Sequence, residues 1–179
     1  MLGYFPKKEY LIKYNLHNQY WPLIQALKKG DIASYLHHLY VYIDYFKGKY
    51  NVLLLRDRGI VLAWRCLVRR LYTIRKSIQA TPFLTFNECV KAFNFAERTN
   101  RFTISEIECM LVSLVSQGYI RGYLHHQKQR LVLSKVNPFP PISKVRLYRE
   151  KYNESLMTEY MEKEYPPIPE EIQMLIEER

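Results

Sequence analysis

Two helix starts of the same design, followed by a hairpin, constrain this chain more than any other feature. Thr85-Phe86-Asn87-Glu88 and Thr103-Ile104-Ser105-Glu106 both read T-x-x-E. In that pattern the Thr hydroxyl accepts from the amide three residues on, and the Glu reaches back to the amide of the Thr. An apolar residue precedes each box, Leu84 and Phe102, placed to staple onto Cys89 and Ile107. The second helix ends at Gly118, the residue type that takes a left-handed closing position. Tyr119 to Leu124 and Arg130 to Lys135 then read as two strands around a polar turn at His125 to Gln129. Helix, helix and a two-stranded wing, with one more helix needed upstream, outline a winged helix.

Upstream, Lys7 to Leu16 reads as a short helix after Pro6, and Tyr20 to Lys29 as a second that ends at Gly30. Asp31 caps a third, Ile32 to Phe46, whose Ile32, Tyr35, Leu36, Leu39, Tyr42, Ile43 and Phe46 recur at helical spacing. Short antiparallel helices of this kind stack as a helical-repeat array in which no helix buries its face alone. The chain opens inside such a stack, so further repeats or a partner are expected on its N-terminal side.

Val52 to Ile78 is the connecting region, with a break expected near Gly59. On a helical wheel Ile60, Trp64, Leu67, Leu71, Ile74 and Ile78 share one face. Arg65, Arg69 and Lys76 share the other, flanked by Arg70 and Arg75. Arg65, Arg69, Arg70 and Lys76 therefore form a candidate basic rail for an acidic chain or a phosphate backbone. A solvated helix face is the plain alternative.

The helix from Thr103 to Gln117 holds the place of a DNA-recognition helix, yet it carries Glu106 and Glu108 and no Lys or Arg. Base-edge readers normally bring Arg, Lys, Asn or Gln, which argues against a sequence-specific regulator. The wing differs. Arg121, His125, His126, Lys128, Arg130 and Lys135 cluster there with Tyr119 and Tyr123 interleaved, while Ile120, Leu124, Leu131 and Leu133 supply the inward positions. Cations beside aromatics suit non-specific contact with phosphates and bases. Arg121, His125, Lys128, Arg130 and Lys135 are the candidate nucleic-acid residues, and Tyr119, Tyr123 and Phe139 the candidate partner-interface aromatics. The alternative is a hairpin whose cations only guard its edge.

The formal net charge is +10, unevenly spread. Residues 146–179 hold 5 basic and 9 acidic side chains, a net of −4, which leaves +14 for residues 1–145. A basic body attracts polyanions: nucleic acid, an acidic protein, or its own acidic tail. Val145 to Glu164 and Glu170 to Arg179 read as charged helices separated by a proline break. Cys66, Cys89 and Cys109 fall at apolar helical positions and are expected to be reduced and buried. No apolar run approaches the ~18 residues of a membrane span, and Lys7, Lys8 and Glu9 argue against a secretion signal. The pairs His37-His38 and His125-His126 diverge by geometry and make no ready metal site. No phosphate loop or nucleophile motif occurs, so neither an enzyme, a cofactor nor a small-molecule substrate is expected.

The order of helical repeats, connecting helix, winged helix and basic hairpin resembles a PCI domain, the scaffold module of proteasome lid, signalosome and initiation-factor subunits. Gly118 to Gln127, Gln129 to Lys135 and Asn137-Pro138-Phe139-Pro140-Pro141 are similar to the signalosome-subunit-12-like group, which includes the PCI subunit of the nuclear mRNA export complex. Gly3, Pro6, Glu9, Lys13-Tyr14, Leu16, Gly30-Asp31-Ile32 and Arg58-Gly59-Ile60 fit the same group. The resemblance implies a mainly α fold: TPR-like helical-repeat hairpins over 1–58, a connecting helix over 59–82, a winged helix with a small β wing over 83–141, and a charged C-terminal helical tail over 142–179. It implies a non-catalytic scaffold that pairs winged helix to winged helix with a larger PCI-containing subunit. It implies a small acidic disordered partner shared with the proteasome lid, an RNA or DNA platform, and a place in the nucleus, at the pore, or in the cytoplasm. The alternative reading is a pure assembly subunit of signalosome type whose basic face serves only its acidic partner.

Overall fold

The computed structural model describes residues 4–78 and 81–145 of the chain. The two charged helices expected beyond Val145 lie outside the described residues. Seven α-helices and a three-stranded sheet make up the described body: α1 (Lys8–Lys13), α2 (His17–Lys29), α3 (Ile32–Val41), α4 (Ile43–Gly48), α5 (Ile60–Ile78), β1 (Phe83–Thr85), α6 (Phe86–Glu97), α7 (Ile104–Ser116), β2 (Gly122–His125) and β3 (Arg130–Leu133). It is a mainly helical chain whose small sheet belongs to a winged helix.

Both T-x-x-E boxes form. Thr85 and Thr103 are N-caps, each accepting from the amide of its Glu while that Glu accepts from the cap amide. Leu84 and Cys89, the residues placed to staple α6, are both fully buried. The α7 helix stops at Gly118, which takes the left-handed conformation at φ +78°.

Glu88 does more than cap. Its carboxylate also pairs with Arg75 of α5, tying the connecting helix to the winged helix. Burial raises the pKa of Glu88, but the Thr85 hydrogen bonds and the Arg75 guanidinium outweigh it, leaving the carboxyl below its ordinary value of 4.5. A carboxyl depressed by folding contributes stability that is present above its unfolded pKa and is lost as pH falls through the folded one. Glu88→Gln is therefore expected to flatten the acid limb of the stability curve below about pH 4.5. Urea unfolding of both proteins along an acid pH series checks this, and parallel curves would show that the pair adds nothing.

The third expected helix is two. It breaks at Tyr42 into α3 and α4, and Phe46 on α4 is fully buried. The expected break near Gly59 is absent. Leu54–Gly59 instead form a π-helical turn leading straight into α5. Tyr35, fully buried on α3, donates its hydroxyl to the carbonyl of Leu55 at 2.6 Å. Gly59 leaves room for that hydroxyl, since a Cβ there would come within 1.8 Å of it.

The helical part and the winged helix share one core. The α2, α3 and α5 helices pack on each other, and α6 packs on both α3 and α5. Arg98, in the left-handed closing position of α6, reaches back to Ser34 at 3.1 Å and to Asp31, the N-cap of α3 that accepts from the Ser34 amide, at 3.4 Å. Leu27, Ile32, Leu67, Val68, Phe93, Ile107 and Leu131 are among the buried side chains that fill the interior.

The apolar face expected along α5 is only half covered. Leu67 is buried, but Ile74 is exposed and Ile78 is 74% exposed. Phe95 on α6 is 86% exposed. Of the three cysteines only Cys89 is buried. Cys66 is partly covered and Cys109 is exposed, because the α7 position of Cys109 faces away from the core.

Candidate nucleic-acid interface

The wing is a three-stranded sheet in the order β1-β3-β2, all antiparallel. The sequence reading missed β1, which is three residues long and directly abuts the cap of α6. Pairing Leu124 with Leu131 and Leu84 with Leu131 puts these leucines on the inward side. Side chains alternate along a strand, so Tyr123, His125, Arg130 and Val132 fall on the outer side together with Phe83 and Thr85. Arg121, two residues before Tyr123, shares that side and is exposed.

The outer face therefore carries two arginines, one histidine and two aromatic rings. The Arg130 guanidinium lies 4.3 Å from the centre of the Phe83 ring, a cation–π contact that holds the charge over the sheet. Tyr123 is exposed beside it. Lys128 sits at the tip of the four-residue turn, which closes with Gln129 donating to the carbonyl of His126 at 2.9 Å. Lys135 is exposed but lies past the end of β3 and off the parity of the outer face. The structure thus brings Arg121, His125 and Arg130 together, sets Lys128 at their edge, and leaves Lys135 apart.

A second tie holds the turn. His126 and Glu108 of α7 meet at 2.7 Å through Nδ1 and Oε1, so one acidic residue of α7 anchors the basic wing. Phe83 and this anchor escaped the sequence reading. The Phe83-Leu84-Thr85 alternation was the only trace of the third strand.

Two expected site residues are placed otherwise. Arg65 is not on a rail: it is 4% exposed. Its Nε donates to the carbonyl of Tyr119 at 3.3 Å and its Nη2 to that of Pro140 at 2.6 Å. It sits on the side of α5 that the winged helix covers, and fixes the two ends of the wing to that helix. Tyr119 is likewise buried rather than a partner contact, because it enters the core as α7 closes. Phe139 is half-covered and tilts against Tyr72 of α5, ring centres 6.0 Å apart. Of the remaining expected rail, Arg69, Arg70 and Lys76 are exposed. Arg70 donates to the carbonyl of Lys29 at 3.3 Å.

Helical hairpins run through one long helix into a winged helix, and this order of elements defines the class of domain. Among the described residues no three His, Cys, Asp or Glu side chains converge as a metal site, and no described helix is long and apolar enough to cross a membrane. The chain carries a PCI domain, since residues 48–135 match the family model of that domain. A PCI domain-containing protein of Schizosaccharomyces pombe is 37% identical over 142 residues, covering 75% of this chain and 31% of that protein. PCI domain-containing protein 2 of Xenopus laevis is 30% identical over 145 residues, covering 81% of this chain and 35% of that protein. Enhanced ethylene response protein 5 of Arabidopsis thaliana is 32% identical over 146 residues, covering 79% and 34%. The chain spans about a third of the length of these curated relatives.

Proposed function

We propose that this chain is the PCI portion of a non-enzymatic scaffold subunit in an mRNA export or related RNA-processing complex, and that its wing binds single-stranded RNA or DNA without sequence preference. The outer face of the wing carries this reading: Arg121, His125 and Arg130 share one side of the sheet with Tyr123 and Phe83. Cations that track phosphates beside rings that stack on bases need no base-edge code. The α7 helix, with glutamates and no basic residue, leaves groove reading without a reader. Exposed Ile74, Ile78 and Phe95 favour a partner that covers apolar surface, here a larger PCI-containing subunit paired through its own winged helix. A small acidic disordered protein shared with the proteasome lid completes the assembly, which works in the nucleus and cytoplasm.

Titration of fluorescent single-stranded RNA across a salt series tests this. Each phosphate contact contributes about 0.7 to the slope of log K against log salt for a single strand. Changing Arg121, Lys128 and Arg130 together to Ala is expected to flatten the slope by about 2 and weaken binding roughly a hundredfold at 0.1 M salt. Lys135→Ala, off the shared face, is expected to change little. Tight binding of RNA with the slope unaltered in the triple variant would reject the wing as the site. Binding absent even at low salt would favour the second reading, an assembly subunit of signalosome type whose +14 body serves an acidic partner.

A further inference from the structure

A second basic surface lies on the helical part, next to the base of the wing. A cleft of about 740 Å³ opens between the C-terminal end of α2, the middle of α5 and the segment from Asn137 to Ser143. Lys28, Lys29, Arg69 and Arg70 line it, and no carboxylate does among the described residues. None of these four forms an ion pair among the described residues, so their charge is uncompensated there. Aromatic rings stand with the cations: Phe5 and Phe139 line the same cleft, and the Lys28 ammonium lies 5.5 Å from the centre of the Phe5 ring.

The cleft and the wing are joined by backbone. The amide of Arg121 donates to the carbonyl of Pro138 at 2.8 Å, and Arg65 holds the carbonyl of Pro140 at 2.6 Å. The segment forming one wall of the cleft is thus bonded on one side to the basic wing and on the other to α5.

We propose that this cleft is a second binding site for single-stranded nucleic acid, with phosphates on Lys28, Arg69 and Arg70 and an unstacked base against Phe5 and Phe139. The inference rests on the reading of the wing as a single-strand surface. The shape selects the strandedness: a concave cleft admits one strand, whereas a duplex groove takes a projecting helix or ribbon. The rings select the polyanion. An acidic peptide would engage the cations through its carboxylates, whereas each base of a single strand adds a π-face to lay against the rings that line the cleft.

The test uses the full chain and fluorescent oligouridylates long enough to span both surfaces. The double variant Lys28→Ala/Arg69→Ala removes two exposed cations that make no ion pair among the described residues, so an unchanged melting temperature is the expected control. Each phosphate contact is worth roughly fivefold at 0.1 M salt, so the double variant is expected to bind about 25-fold more weakly with a slope lower by about 1.4. Phe5→Ala is expected to weaken binding at least about fivefold at an unchanged slope, because stacking releases no counterions. If both cleft variants bind like the wild type while the wing variant is weakened, the cleft proposal is overturned and the wing reading stands. If the wing variant is unaffected, the wing reading falls on its own. If the double variant keeps its RNA affinity but loses affinity for poly-glutamate, the occupant is an acidic polypeptide and the proposal is overturned.

Discussion

Replacing Arg65 with Ala is expected to lower the unfolding midpoint by about 12 °C, a loss of about 4 kcal/mol. Arg65 is a buried cation whose hydrogen bonds run to two main-chain carbonyls, of Tyr119 and Pro140. A buried acceptor stripped of its donor costs about 1–3 kcal/mol, and here both lose theirs at once. The aliphatic stem also leaves a gap between α5 and the winged helix. One effect opposes the loss: burial pushes the Arg65 pKa down, so removing the charge recovers part of its desolvation. The carbonyls decide the sign, because among the described residues the substitution leaves them no other donor. Arg65→Lys keeps the charge but not the planar fork that serves both acceptors, and is expected to recover less than half of the loss. Thermal melts followed by circular dichroism give the answer. A change within about 0.5 kcal/mol, normal for an exposed position, would mean that Arg65 is a surface residue after all.

Gly30→Ala is expected to cost a similar amount, about 4 kcal/mol, for a different reason. Gly30 closes α2 at φ +69°, a conformation that penalises any Cβ by about 1 kcal/mol. The larger part is steric. A Cβ at this position would stand 2.7 Å from both the Cα and the N of Leu67 on α5. Backbone does not rotate away as a side-chain end does, so α2 and α5 must separate, and the core formed by Leu27 and Leu67 opens with them. Gly48→Ala is the control, since nothing lies within 4 Å of a Cβ there. A Gly30→Ala protein that melts with the Gly48→Ala protein would disprove the close approach.

Local chemistry was legible in the sequence where it was self-contained. Thr85 and Thr103 cap as their boxes require, and strand alternation places Leu124, Leu131 and Leu133 opposite Arg121, Tyr123 and Arg130 without any knowledge of the rest. Long-range partners were not legible. A helical wheel assigns Arg65 to the polar arc by its charge, whereas its acceptors lie 54 and 75 residues further on. Tyr119 looked like a surface aromatic within a basic cluster because the closure of α7, which turns it inward, is a tertiary event. Ile74 and Ile78 look like core by periodicity, yet no described element covers them. Phe83 was hidden by shortness, since three residues of strand are too few for an alternation to stand out. The candidate site was thus half readable: its cations and Tyr123 came from pattern, while Phe83 and the Glu108 anchor needed the third strand and the packing of α7.

The π-helical turn at Leu54–Gly59 sets the azimuth of everything that follows. Such a turn accommodates one residue more than the α-helical turn it replaces, and each residue of a helix advances it by about 100°. Exposed Arg56, Asp57 and Arg58 are therefore held less by their identity than by their number. Losing one of them would leave the composition, the charge pattern and the caps almost intact, yet would swing Arg65 away from the Tyr119 and Pro140 carbonyls and carry Leu67 out from under Gly30. The phase of α5 is a count, written into a stretch whose side chains touch little.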